Sequence, residues 1–135
     1  MPPGTASLAR TLGHIALSLA AGIATGALLV AAYIYSALGE DLVFEGLFEV
    51  SLFYGAAIAG FCIPLWLMLV RLGRDSAWAA AALGFVATAV FVSLTYAAGS
   101  HDRVALMAHT ALPYGACGAA AALVTWWVGR VLRRA

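Results

Sequence analysis

The chain has 135 residues, 64% of them apolar and 10% charged, with a net charge of +1 and a mean hydropathy of +0.99. A soluble domain is about half apolar and about a quarter charged, so this composition excludes a water-soluble globule, and it excludes a disordered chain even more firmly. Net charge +1 leaves no basic surface for nucleic acid, and two cysteines can build neither a disulfide framework nor an all-cysteine metal site; what remains is an integral membrane protein.

A hydrocarbon core about 30 Å thick is crossed by roughly 20 apolar residues in a helix. Four stretches meet that length, and none shows the period-2 alternation of a strand. The expected fold is therefore an all-α, four-transmembrane-helix bundle with short loops, forming one membrane domain over 1–135.

The first predicted span covers 12–38, with His14 near its start as its one ionisable group. A secretory leader has an apolar core of about 7–15 residues, and this run is far longer, so a retained helix is expected. Gly22 and Gly26 form a GxxxG pair, a spacing that lets helix backbones approach closely in lipid.

Glu40 and Asp41 follow, and Glu45 and Glu49 lie one helical turn apart on the entry to the second span, 47–70. Ala56 and Gly60 repeat the small-xxx-small spacing, and Pro64 is expected to kink the helix by removing a backbone bond. Arg71, Arg74 and Asp75 separate this span from the third, 77–98. Thr88, Ser93 and Thr95 there are ordinary membrane-helix hydroxyls, able to bond back to their own carbonyls. His101, Asp102 and Arg103 form a second short loop before the fourth span, 104–128. That span carries His109, Pro113 and the small pair Ala116 and Ala120, and leads to Arg130, Arg133 and Arg134.

All the arginines except Arg103 fall on one side of this four-span path, whereas Glu40, Asp41, Glu45, Glu49 and Asp102 fall on the other. The positive-inside rule then places both termini in the cytoplasm. Trp66, Trp78, Trp126 and Trp127 sit at the arginine side, at the headgroup level such rings prefer. Lys, Asn and Gln are missing while Ala and Arg abound, a usage that points to a GC-rich bacterial genome and hence to the inner membrane.

Offset by 60 positions, the chain resembles itself. Leu52, Tyr54, Gly55, Ala56, Ala59, Trp66, Leu72 and Arg74 match Leu112, Tyr114, Gly115, Ala116, Ala119, Trp126, Leu132 and Arg134. The pattern reads as a tandem duplication of a two-helix hairpin, with units 12–74 and 77–134. Because each unit crosses twice, the copies are parallel, related by an axis along the membrane normal.

The ionisable groups gather at the acidic side. Glu45, Glu49, His101 and His109 offer carboxylate and imidazole donors of the kind zinc takes, but no ligand-spacing motif such as HExxH accompanies them, and acidic loop residues are ordinarily just solvated. Glu49 and His109 correspond under the offset, and an ionisable group within a membrane helix seeks a partner, so they form the expected intramembrane polar pair. Cys62 and Cys117 fall at different depths, which opposes a disulfide. No CxxC, GxSxG or phosphate loop is present, and His14 lies across the bilayer from His109, too far to share a haem.

The sequence therefore calls for no cofactor and no enzymatic activity. The leading expectation is an accessory or interaction subunit of a membrane complex. Its partners would be the lipid bilayer and other membrane subunits or a second copy, with no nucleic acid. The alternatives are an oligomeric small transporter or channel with an acidic outer mouth, and a membrane redox protein or enzyme.

Overall fold

A computed structural model describes the backbone of residues 3–38, 43–97 and 103–134, and the side chains of 7–37, 43–95 and 110–134. Four helices account for nearly all of these residues: α1 (Pro3–Leu38), α2 (Phe44–Arg71), α3 (Ala77–Ala97) and α4 (Arg103–Arg134). No strand occurs among the described residues. Each helix contains a stretch long and apolar enough to cross a membrane.

The helices outrun the apolar spans at the arginine end. α1 begins at Pro3, well before position 12, and α4 continues past 128 to Arg134. Apolar length measures the hydrocarbon crossing, whereas the backbone ladder continues into the headgroup layer. Local chemistry assists at both places. The Thr11 hydroxyl donates to Ser7 O at 3.0 Å in α1. Arg133 and Arg134 occupy the last turn of α4, where cations offset the partial negative charge of the helix terminus. α2 runs uninterrupted through Pro64, which is exposed, and α4 through Pro113.

The α2–α3 connection is tight for identifiable reasons. Gly73 takes φ +69°, a left-handed conformation that glycine adopts without a Cβ penalty. Its N–H donates to Val70 O at 3.1 Å and the Arg74 N–H to Leu69 O at 2.9 Å, the paired bonds of a Schellman cap. Ser76 then opens α3, its hydroxyl accepting the Ala79 N–H at 3.2 Å.

The four helices form a ring. α1 and α3 each touch α2 and α4, while the diagonal pairs α1/α3 and α2/α4 make no close contact among the described residues. The α3–α4 contact is the most extensive and α2–α3 the least. Small residues hold the bundle together. The buried apolar side chains are Ala27, Ala31 and Ala80, joined by Ser18, Ser51 and Thr88 and by Gly22, Gly84 and Gly115. No large side chain is fully buried among the described residues. This is how helices associate in lipid, where apolar burial adds no drive and close backbone packing must supply the attraction.

The closest approach joins α3 to α4 at Gly84 and Gly118. A Cβ on Gly84 would fall 2.6 Å from Ala122 Cβ and against Gly118 O, and one on Gly118 would strike the Thr88 hydroxyl. Gly22 also brings α1 near α4, since a Cβ there would lie 2.8 Å from Ala121 O and against Thr125 Oγ1. Gly26 is less tight, with Ala121 Cβ at 3.0 Å from its Cβ position. Of the expected small-residue faces, Gly22–Gly26 thus lies in a close helix contact. Gly60 is exposed with nothing within 4 Å of its Cβ position, and Ala56 and Ala116 are also exposed, while Ala120 is half-buried. α4 turns Gly118, Ala121, Ala122 and Thr125 to its neighbours.

Candidate functional site: a cleft between the four helices

Because the diagonal helices do not meet, a cleft of about 810 Å³ runs through the bundle, lined by all four helices. Ligand pockets commonly enclose about 300–1,000 Å³, so this one has the size of a binding site. On α1 it extends from Thr11 to Ile34, a helix rise of about 35 Å. Its middle is apolar, with Leu19, Ile23, Ile58 and Leu83 on the wall.

At the arginine end the lining includes His14, Trp126 and Arg133. Trp126 Nε1 donates to Asp75 Oδ1 at 2.8 Å, tying α4 to the α2–α3 turn. Arg133 lies 3.9 Å from the other oxygen of Asp75, and the Arg130 guanidinium sits 4.6 Å from the Trp126 ring centre. A lone carboxylate is thus held by an indole and an arginine, and the same indole carries a second arginine on its face.

Toward the other end, aromatic rings bridge neighbouring helices. Tyr33 of α1 meets Tyr114 of α4 edge to face, ring centres 5.8 Å apart. Tyr54 of α2 meets Phe91 of α3 in the same way at 5.9 Å. Gly115 permits the Phe85 ring to lie against α4, with Phe85 Cε2 2.8 Å from where its Cβ would be.

Four buried or half-buried serine and threonine hydroxyls also line the cleft. Ser18 donates to Ile15 O at 2.9 Å and Thr125 to Ala121 O at 3.0 Å, each satisfied within its own helix. Ser51 and Thr88 are only 8% and 6% exposed, and neither hydroxyl has a hydrogen-bond partner among the described residues. Cys62 and Cys117 are free thiols on the same lining.

The acidic-side candidates fall largely outside this geometry. Glu45 and Glu49 are exposed on the first turns of α2. His101 lies outside the described residues, as do Glu40, Asp41 and Asp102. His109 belongs to α4, but its side chain is not among those described, so the Glu49–His109 pair lies outside the described residues. Among the described residues, no three His, Cys, Asp or Glu side chains converge on one point where a metal ion could sit.

Three features escaped the sequence reading: the Gly84–Gly118 crossing, the Asp75–Trp126 bond and the unpartnered Ser51 and Thr88. The first had a signal, since Gly84-xxx-Thr88 and Gly118-xxx-Ala122 both carry the small-xxx-small spacing. The other two depend on which helix faces meet, and no local pattern announces that. Comparison with protein-family models, curated proteins and solved structures finds nothing that matches this chain.

Proposed function

We propose that the protein is an interaction subunit of the bacterial cytoplasmic membrane, with both termini on the cytoplasmic side, that joins another membrane protein or a second copy of itself through the outer face of α2. One observation carries this reading: Gly60, a residue that costs a helix about 1 kcal/mol relative to alanine, is exposed, and among the described residues nothing lies within 4 Å of where its Cβ would be. Gly22, Gly84 and Gly118 each make room for a neighbouring helix, and Gly60 makes room on the outside. Phe53, Ala56, Gly60 and Pro64 recur at helical spacing, and all four are exposed. Such a shallow groove between flanking large residues receives a partner helix in lipid.

The placement of the termini rests on the arginines, gathered at one end of the bundle, and the bacterial origin on residue usage. The tandem-repeat reading gains support from the aromatic pairs. Tyr54 and Tyr114, equivalent under the offset of 60, each reach the first helix of the other hairpin.

The deciding experiment compares Gly60→Leu with the unaltered protein, solubilised in mild detergent from its native membrane. Loss of a co-purifying partner or of a homo-oligomer, at unchanged or raised melting temperature, supports the reading. An identical assembly in the variant rejects it.

The second reading, an oligomeric transporter or channel, is favoured by the length of the cleft. It requires flux of a cation or small solute into proteoliposomes that falls in Glu49→Gln or His109→Ala.

A further inference from the structure

The Tyr54–Phe91 contact is bracketed by two hydroxyls. Ser51 lies one turn before Tyr54 on α2, and Thr88 one turn before Phe91 on α3. The two helices run in opposite directions, so Ser51 lies about 4.5 Å of helix rise to one side of the aromatic pair and Thr88 a similar rise to the other. All four residues line the cleft, Thr88 on its α4 side, where its hydroxyl lies against Gly118, and the α2–α3 contact is the least extensive of the ring.

Burying a hydroxyl without a partner costs roughly 1–3 kcal/mol by protein mutational data. A serine or threonine in a membrane helix ordinarily avoids that by bonding its own carbonyl, as Ser18 and Thr125 do. Ser51 and Thr88 do not, although both are more than nine-tenths buried. Each therefore has an O–H donor with no acceptor among the described residues.

We propose that the cleft binds a lipid-soluble quinone, its ring beside Tyr54 and Phe91, its two opposed carbonyl oxygens accepting from Ser51 and Thr88, and its apolar tail running toward the arginine end. Each part of such a molecule meets matching chemistry. A flat ring suits edge and face contacts with aromatic side chains. Two acceptors on opposite sides of the ring suit two donors on opposite sides of an aromatic pair. A long hydrocarbon tail suits the wall formed by Leu19, Ile23, Ile63 and Leu67. A phospholipid fits less well, because its acceptors lie at the headgroup level and would leave both hydroxyls unpaired. The inference concerns binding alone and is independent of the outer face of α2.

The test uses the full chain in detergent, titrated with decylubiquinone, with decylbenzene as a probe of equal tail length that lacks acceptors. Trp66 and Trp126 line the same cleft and report binding by fluorescence quenching, since quinones are efficient quenchers. Decylubiquinone is expected to quench saturably, and decylbenzene to displace it only weakly. Ser51→Ala and Thr88→Val should each weaken binding about five- to tenfold, the usual worth of one buried hydrogen bond. Their melting temperatures without ligand should stay level or rise, because each change removes a polar group unpaired among the described residues. Should Thr88→Val disturb its contact with Gly118, Ser51→Ala remains as the independent variant. Non-saturable quenching, equal displacement by decylbenzene, or an affinity unchanged in Ser51→Ala would overturn the proposal.

Discussion

Trp126 and Asp75 lie 51 positions apart in sequence, yet the indole N–H of one and a carboxylate oxygen of the other are 2.8 Å apart. The bond fastens the end of α4 to the turn between α2 and α3, outside the apolar core of the bundle. Because Asp75 is 27% exposed, water competes for it, and the contribution is about 1 kcal/mol, below the range for a fully buried charged hydrogen bond. Trp126→Phe and Asp75→Ala are each expected to lower stability by about that amount in mixed-micelle unfolding, and the double variant by little more than either alone. Additive losses would show that the two side chains act separately.

The α3–α4 crossing is expected to be the least tolerant point in the molecule. Gly84→Leu would drive a side chain into Gly118 O and Ala122 Cβ, and both obstacles belong to the opposite helix. Overpacking ordinarily costs about 1–3 kcal/mol, and here the backbone itself must retreat, so about 3 kcal/mol or complete loss of folded protein is expected. Gly60→Leu, placed in open space, should be neutral or stabilise by up to about 1 kcal/mol, because leucine favours a helix over glycine. Thermal unfolding in one detergent, measured for both variants, checks the contrast.

Alanine at the two glycines of α1 separates helix propensity from crowding. Alanine favours a helix over glycine by about 1 kcal/mol. At Gly26 the new Cβ would meet Ala121 Cβ at 3.0 Å, and a small shift relieves it, so Gly26→Ala should be close to neutral. At Gly22 the new Cβ would collide with Thr125 Oγ1 and lie 2.8 Å from Ala121 O, so Gly22→Ala should destabilise by about 1–3 kcal/mol. The same unfolding assay reads both, and a reversed order would place α1 in a different rotation against α4.

Orientation in the membrane can be read with a reagent that cannot cross it. In a Cys62→Ala/Cys117→Ala background, a maleimide of that kind should label Glu45→Cys in intact spheroplasts. Arg134→Cys should be labelled only after permeabilisation. Both parent residues are exposed at opposite ends of the bundle, so access depends on the membrane alone. The opposite labelling pattern would invert the assigned topology.

The number and positions of the helices were legible in the sequence because lipid imposes a minimum apolar run, and four such runs stand between charged breaks. How each helix is rotated about its axis was not. A helix in water shows its inward face by an apolar stripe, but a helix in hydrocarbon is apolar all round, as 77–98 is, and its stripe vanishes. Ala56–Gly60 and Gly84–Thr88 therefore look alike as strings, although one faces outward and the other lies at the tightest crossing. The cleft was illegible for the same reason, since Ser51 and Thr88 are unremarkable until a third helix closes over them. Asp75 read as one more charge near arginines, and the fold alone brings Trp126 to it.

The capped turn through Gly73 and Ser76 has a mechanical result. It joins α2 to α3 by a few residues at one extremity, while these two helices share the least extensive contact of the ring. Separation of these two helices must therefore proceed like the legs of a compass, pivoting near Gly73 and swinging widest at the opposite surface.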